Sequence, residues 1–447
     1  MEPNGQPQLR RSLRVFDGVA LLIGITIGSG IYATPYLIAG YFATFTGLIA
    51  TWIVVGVFVM IGGLIYAELG TRMPYTGGEY TYISRCFGPF AGFMFGWAQL
   101  FIIRTSPAAG LAIVAADYIG IFFDAYDNTT RQLVALSIIA ALGLFNYVGI
   151  QWASLFQKVT TVIKVVGLIL FVGAGLFLLR GVPNLLGTQS PPIHEFGMAG
   201  NLIAALMLIV FTHTGWDRVG YVAGEMKNPR AVIPKSMFIG LTLILLIYWA
   251  ANTIYHYTLG MDGIRATTTP AADVATVMVG SVGAAVVALL AIVSALGSIN
   301  GTMMSASRVY FAMARDRLFF RWLDFVHPTF RTPSRAILAH CLWAAVILLA
   351  RGSFETIAAG MVFAILIFYT MTTLALFKLR RADVGGSESY RMPGYPWLPV
   401  VYLVGIVALL VSRAVFAWKE SLIDFAFVAT GLPVSWFWLR KGRQDKD

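Results

Sequence analysis

Twelve runs of apolar residues, nearly all 20 residues or longer, constrain this 447-residue chain more than any other feature. They fall near 17–40, 46–67, 89–122, 131–150, 155–179, 199–222, 236–259, 273–300, 335–350, 355–377, 397–417 and 420–439. Crossing a hydrocarbon layer as a helix takes about 20 such residues. The runs are continuous rather than alternating, which excludes the strands of a membrane β-barrel. Only 12% of the chain is charged, where a soluble domain carries about 25%. A soluble enzyme, a disordered chain and a secreted disulfide scaffold are therefore excluded. The expected fold is an all-α polytopic membrane protein with twelve transmembrane helices, the lipid bilayer being its first partner.

The net charge of +11 suggests nucleic acid until the basic residues are placed. With the N-terminus on the cytoplasmic side, 23 of the 32 Lys and Arg lie on that side, among them Arg10, Arg11, Arg14, Lys227, Arg230 and Lys235. Six lie outside: Arg131, Arg180, Arg265, Arg351, Arg413 and Lys419. This asymmetry is the positive-inside pattern, so it predicts both termini in the cytoplasm and no nucleic-acid partner. Met1–Arg14 leads into an apolar segment too long for a signal-peptide core, and no cleavage site follows. The two cysteines, Cys86 and Cys341, form no CxxC. The five histidines form no HxxxH or HExxH, so neither metal, cofactor nor enzymatic chemistry is expected.

Runs one to five and six to ten start on a similar long period. An odd number of crossings per unit inserts the second unit upside down, as in the inverted repeats of secondary transporters. The expected organisation is a tail (1–15), a five-helix repeat (16–181), an inverted second repeat (199–381), two further helices (397–440) and a second tail (441–447).

Run one contains Gly24-Ile25-Thr26-Ile27-Gly28-Ser29-Gly30-Ile31. Three glycines in seven residues cost about 1 kcal/mol each in helix propensity, so the helix is weakest there. Run six has Phe211-Thr212-His213-Thr214-Gly215-Trp216 at the matching place. Non-helical backbone at membrane depth is tolerated only where it lines a cavity or binds something, and a paired interruption points to a substrate site. Amides of Ser29, Gly30 and Ile31 at a helix N-terminus suit a carboxylate. Carbonyls of Thr26, Phe211 and Thr214, expected to be unpaired, suit an ammonium group. Together they describe a site for an α-amino acid. Gly24 and Gly28 also fit a plain small-residue packing face.

These motifs resemble the L-type amino acid transporter branch of the amino acid–polyamine–organocation superfamily. So do Ile103-Arg104-Thr105-Ser106-Pro107, Glu225-Met226-Lys227-Asn228-Pro229-Arg230 followed by Ile233-Pro234-Lys235, Gly297-Ser298-Ile299-Asn300-Gly301, and Ser307-Arg308 with Ala312-Met313-Ala314-Arg315-Asp316. The resemblance covers runs one to ten. It implies a leucine-transporter-like inverted repeat and a sodium-independent exchanger or proton-coupled permease for amino acids, working by alternating access. Carried over residue by residue, it implies substrate contacts at Thr26, Gly28, Ser29, Gly30, Ile31, Phe211, His213, Thr214, Gly215 and Asn300. It also implies an aromatic gate at Phe211 and an inner-gate acid at Glu225.

Lys164, about ten residues into run five, is costly at that depth and a functional candidate by default. The resemblance puts it where sodium-coupled relatives hold the ion. Arg104 reads as structural, with an unidentified acidic partner. His213 is either a titrating group or a hydrogen-bonded wall residue. Cation-selective relatives carry an aspartate where this chain has Thr214, which favours neutral substrates. Asp217 next to the motif keeps a cationic amino acid or polyamine antiporter open as the alternative, beside an amino acid sensor that does not transport. Heteromeric relatives carry a cysteine between runs three and four. The segment Asp124-Ala125-Tyr126-Asp127-Asn128-Thr129-Thr130 has none, so no disulfide-linked heavy subunit is expected.

Overall fold

The computed structural model describes residues 13–28, 30–75, 77–178, 191–194, 196–315 and 318–436. Ser29, most of the expected N-terminal tail and the whole of 441–447 lie outside the described residues. The described chain is all-helical, with one isolated bridge between Leu13 and Met226 and no strand. The first run is broken into α1 (Val15–Thr26), α2 (Gly30–Ala33) and α3 (Pro35–Ala39). Then come α4 (Phe45–Arg72), α5 (Glu79–Phe87), α6 (Pro89–Ala98), α7 (Thr105–Gly120), α8 (Asn128–Val148), α9 (Ile150–Leu178) and α10 (Gly197–Thr212). A 3-10 helix, Trp216–Glu225, completes the sixth crossing. Beyond it lie α11 (Pro229–Arg265), α12 (Pro270–Val279), α13 (Ser281–Arg315), α14 (Ser334–Arg351), α15 (Phe354–Arg381), α16 (Trp397–Phe416) and α17 (Trp418–Ala429).

Eleven helical segments are long and apolar enough to cross a membrane. The expected twelfth corresponds to α17, which has 12 residues; after a turn at Thr430, helix resumes over 431–436. The eighth run was expected at 273–300 and is corrected here. Its first part is the separate helix α12, and Gly280, at φ 78°, turns the chain before α13 begins at Ser281. Only glycine adopts that left-handed conformation without strain.

Burial ranks the helices by position. In the third crossing, Pro89–Gly120, 94% of the hydrophobic window is buried, against 22% in α16, so the third is central and α16 faces lipid. The sequence explains the difference: Pro107-Ala108-Ala109-Gly110 and Ala115-Ala116 present small side chains that let other helices approach closely. Exposed Leu170, Val282, Leu342 and Val404 belong to the outer surface, where lipid tails are the solvent.

The third crossing changes pitch midway. Pro107 has no N–H to return to the carbonyl four residues back, and the helix slips into a π turn at Gln99–Ile103. Arg104 N bonds Gln99 O at 3.0 Å, and the Thr105 hydroxyl caps Leu100 O at 2.8 Å. Such turns re-aim the next side chain, here Arg104.

Two buried charge clusters clamp the periphery. Glu68 of α4 accepts from Arg72 Nε at 2.8 Å, Arg380 Nε at 2.7 Å and Met392 N at 2.9 Å, joining α4, α15 and the segment before α16. Asp424 of α17, fully buried, accepts from Arg413 Nη2 at 2.8 Å and from Arg351. It lies against Gly360, where an added Cβ would come within 2.6 Å of Asp424 Oδ1. Removing one partner of a buried ion pair costs about 3–5 kcal/mol because the other charge is stranded. Asp424→Asn, which leaves two arginines facing a neutral amide, is expected to lower the thermal unfolding temperature in detergent by several degrees relative to wild type.

Candidate functional site

The two interrupted crossings meet. After Thr26 the chain leaves the helix at Ile27 and Gly28, and helix resumes at Gly30. After Thr212 it turns through His213, Thr214 and Gly215, and Trp216 opens the 3-10 helix. Gly30 presses on the second break: a Cβ there would sit 3.3 Å from Thr212 Cα. Gly215 presses on the first, with a Cβ position 3.0 Å from Ile25 Cγ2 and 3.3 Å from its carbonyl carbon. Gly215 also has φ +116°. Both glycines are required by approach, and Gly215 by conformation as well.

Side chains then lock the junction. Thr34 Oγ1 and Thr212 Oγ1 lie 3.0 Å apart, tying the segment after α2 to the end of α10. The Tyr248 hydroxyl, from α11, donates toward Thr26 O at 3.0 Å and Thr212 O at 3.3 Å. Thr26 O also accepts from Gly28 N at 2.8 Å. Phe211 O accepts from Thr214 N at 2.9 Å and from the Thr214 hydroxyl at 2.7 Å. The Thr26 and Phe211 carbonyls, expected to be unpaired, thus already hold donors, because an unpaired carbonyl is costly at this depth. Ile31 is buried in α2 beside them.

Lys164 is fully buried below the first break. Its Nζ lies 3.4 Å from Ser298 Oγ of α13, and a Cβ on Gly28 would lie 3.1 Å from that same oxygen. The Lys164 amine, one hydroxyl and the bent backbone therefore share one small volume.

Phe211 meets Phe354 edge-on at 5.3 Å. The adjacent Glu355 accepts from the Tyr41 hydroxyl, and Tyr41 stacks on His194 at 4.4 Å. The first turn of α15 thus packs on the end of α10, beside the second break, and on Tyr41 beyond α3. His213 lies between Trp52 (5.5 Å) and Tyr248 (5.2 Å), its Nδ1 2.8 Å from Ile209 O. It is a wall residue of the junction.

Asn300 is elsewhere. Its Oδ1 accepts from Asn146 at 2.8 Å, and its Nδ2 donates to Ala153 O and Gln157 Oε1, both at 3.0 Å. Both amide protons are spent on knitting α8, α9 and α13 together, which corrects its assignment as a substrate contact. Ser29 and the Glu225 side chain lie outside the described residues.

Toward the Arg14 face a second polar cluster appears. Arg104, aimed by the π turn, bonds Gln99 Oε1 at 2.6 Å and approaches Asp217 Oδ2 to 3.7 Å and Tyr221 Oη to 3.4 Å. Glu79 of α5 accepts from Tyr66, from Tyr221 at 3.4 Å and from Thr372 at 3.5 Å. Asp217 is thus the partner that the sequence left open for Arg104. Glu79 had a sequence signal as well, an acid heading a short amphipathic stretch between two crossings. Among the described residues no group of three or more His, Cys, Asp or Glu side chains is placed to hold a metal.

Comparisons with known proteins identify what the chain is similar to. The profile of a family described as amino acid permease matches residues 13–435. The chain is 30% identical over 440 residues to the serine/threonine exchanger SteT of Bacillus subtilis, covering 97% of each protein. It is 26% identical over 447 residues to the human large neutral amino acids transporter small subunit 2, covering 96% of this chain and 81% of that one. Against the human cystine/glutamate transporter it is 26% identical over 452 residues, covering 98% and 87%.

A side chain at position 215 must both accept a left-handed φ and displace Ile25. Strain of this kind costs about 1–3 kcal/mol. Gly215→Ala is expected to lower the unfolding temperature in detergent, while Gly173→Ala, inside α9 and with nothing within 4 Å of its Cβ, keeps it or raises it slightly.

Proposed function

We propose that this chain, which belongs to the amino acid permease family, is a sodium-independent carrier of neutral L-amino acids that works by alternating access. The observation that carries the reading is the junction itself: two interrupted helices held backbone to backbone, with the Lys164 ammonium beneath the first. The helix that opens at Gly30 supplies the positive dipole end for a substrate carboxylate. For the substrate ammonium, the Thr214 hydroxyl oxygen keeps a lone pair after donating its proton to Phe211 O. The exchanger and neutral-amino-acid transporter among the relatives support the same substrate class.

The junction lies between two coverings. Phe354 and Glu355 of α15 close over it on one side. On the other, Lys227 N bonds Leu13 O at 3.0 Å and the Ser236 hydroxyl bonds Val15 O at 3.1 Å, holding the start of α1 against the strongly basic face. Alternate release of these contacts exposes the substrate to each side in turn. The positive-inside rule supports a cytoplasmic orientation for that basic face and for both termini, in the cell membrane. The two five-helix units, 16–181 and 199–381, with 397–440 appended, supply the symmetry for the movement. Cys86 is buried, and Cys341 faces Gly143, where a Cβ would lie 2.5 Å from its sulfur. With no cysteine in 121–130, these placements support function without a disulfide-linked subunit.

Lys164 places an amine where a sodium-coupled carrier holds its ion, to brace the first break or to carry a coupled proton. Uptake into proteoliposomes is expected to be unchanged when choline replaces sodium at constant pH. Lys164→Ala is expected to insert and fold yet to slow turnover severely; wild-type rates from pH 5 to 8 would remove Lys164 from the mechanism.

A lysine or arginine substrate would have to bury its side-chain charge, which costs several kcal/mol unpaired. Thr214 offers no anion, and Asp217 already faces Arg104. Alanine and leucine are therefore expected to bind in detergent where lysine and arginine do not. Thr214→Asp is expected to shift the relative affinity toward the cationic pair by about 1–3 kcal/mol. Tight arginine binding by the wild type would favour the cationic alternative.

A further inference from the structure

The cluster around Glu79 holds two buried carboxylates, and the cation near them serves only one. Glu79 and Asp217 are 0% and 1% exposed. Arg104 lies 3.7 Å from Asp217, while among the described residues no Lys or Arg comes within ion-pair distance of Glu79. What faces Glu79 instead is hydroxyl-rich. Tyr66 reaches it from α4, Tyr221 from the 3-10 helix and Thr372 from α15. Tyr82 on its own helix, Tyr369 of α15 and Tyr402 of α16 form the next ring. The charged groups on that side are Asp217 and Arg218 of the 3-10 helix and Arg104 of the third crossing. Lys378 of α15 is committed to the Cys86 carbonyl, 2.5 Å away at the far end of α5.

A hydroxyl donates or accepts with equal ease, so this ring accommodates Glu79 with or without a proton. The low-dielectric surroundings do not. Burial, with Asp217 adding repulsion, raises the Glu79 carboxyl from its usual 4.5 to about 8, against the opposing pull of the Tyr66 hydrogen bond and Arg104. Asp217 Oδ1 and Oδ2 also lack a hydrogen-bond partner among the described residues, so Asp217 shares none of its negative charge by hydrogen bonding.

We propose that Glu79 is a proton-binding site that latches the basic face of the bundle. The carboxyl holds its proton while α5, the 3-10 helix and α15 are packed together, and releases it to water when they part. Opening that face therefore costs a proton and closing it takes one up from the same side. The latch modulates the cycle by pH on one face without coupling net proton flow to substrate movement. It does not depend on which amino acid is carried.

The direction follows from linkage. A carboxyl whose pKa is raised in the packed state stabilises that state fully below its usual 4.5, and the contribution is lost progressively as pH rises from there to about 8. The test has two arms, of which the first needs no transport. In detergent, the unfolding temperature of wild type is expected to fall between about pH 5 and 8, while Glu79→Gln, a permanently neutral isostere, shows a flatter profile. Asp217→Asn, which removes the repelling charge and frees Arg104, is expected to move the fall to lower pH, so the proposal stays testable if Glu79→Gln does not fold.

In the second arm, amino acid exchange is followed in right-side-out and inside-out membrane vesicles, with pH stepped on one side only. Wild-type exchange is expected to drop severalfold as pH on the basic face rises from about 5.5 to 8 and to ignore the opposite face; Glu79→Gln abolishes the drop. A Glu79→Gln profile identical to wild type in either arm, or a wild type indifferent to pH in both, overturns the latch. Loss of exchange by wild type with the detergent result intact would instead overturn the transport reading.

Discussion

One tyrosine hydroxyl has the carbonyls of both broken helices within its reach. Tyr248 sits on α11, outside either break, and lies 3.0 Å from Thr26 O and 3.3 Å from Thr212 O. The bilayer interior offers no water to satisfy such carbonyls, so non-helical backbone persists only if the protein supplies the partners. Tyr248 supplies them from a helix that packs against both α1 and α4. The glycine approaches, the Thr34–Thr212 contact and the aromatic cover at Phe354 all require the two breaks to stand where this hydroxyl holds them. A substrate that competes for these carbonyls would displace an existing donor, a modest net exchange rather than the filling of a bare charge.

The polar groups toward the basic face obey a different economy. In the junction, the partners are backbone and hydroxyl groups of fixed character. In the Glu79–Arg104–Asp217 cluster they are ionisable groups on three separate segments, α5, the end of the π turn and the 3-10 helix, with α15 adding the Thr372 hydroxyl. Separating those segments would expose charge to water and thereby relieve desolvation. Separating the junction would expose backbone and gain less. The bundle is thus easier to part at the cluster than at its centre, which suits a carrier that opens at its ends and keeps its middle.

Much of this was legible in the sequence. The break after Thr26 was announced by the glycines at 24, 28 and 30, although a small-residue packing face also fitted Gly24 and Gly28, and Gly24 remains helical. Lys164 was legible because a charge at membrane depth is costly. What was not legible came from long-range pairing. The occupants of the Thr26 and Phe211 carbonyls include a tyrosine over 200 residues away in sequence from Thr26. The Arg104–Asp217 pairing depends on a one-residue slip of pitch at Gln99–Ile103 that a periodicity count does not register. Asn300 misled because a motif places a residue on a helix without saying which neighbour that helix face meets. The eighth crossing was misplaced because Gly280-Ser281, the turn between α12 and α13, sits within a stretch that is apolar on both sides.

The sixth crossing ends in ten residues of 3-10 helix, Trp216–Glu225, where runs beyond three or four residues are uncommon. A 3-10 helix rises about 2.0 Å per residue and an α-helix about 1.5 Å. The segment is therefore about 5 Å longer than the same residues wound as α-helix. Its far end is fastened to the start of the first crossing through the Leu13–Met226 bridge and the Lys227 N–Leu13 O bond. Rewinding would act as a tether shortening under load, hauling the root of α1 inward by nearly one helical turn. The length difference is stored in the backbone itself, so the two broken crossings share a mechanical linkage as well as a packed junction.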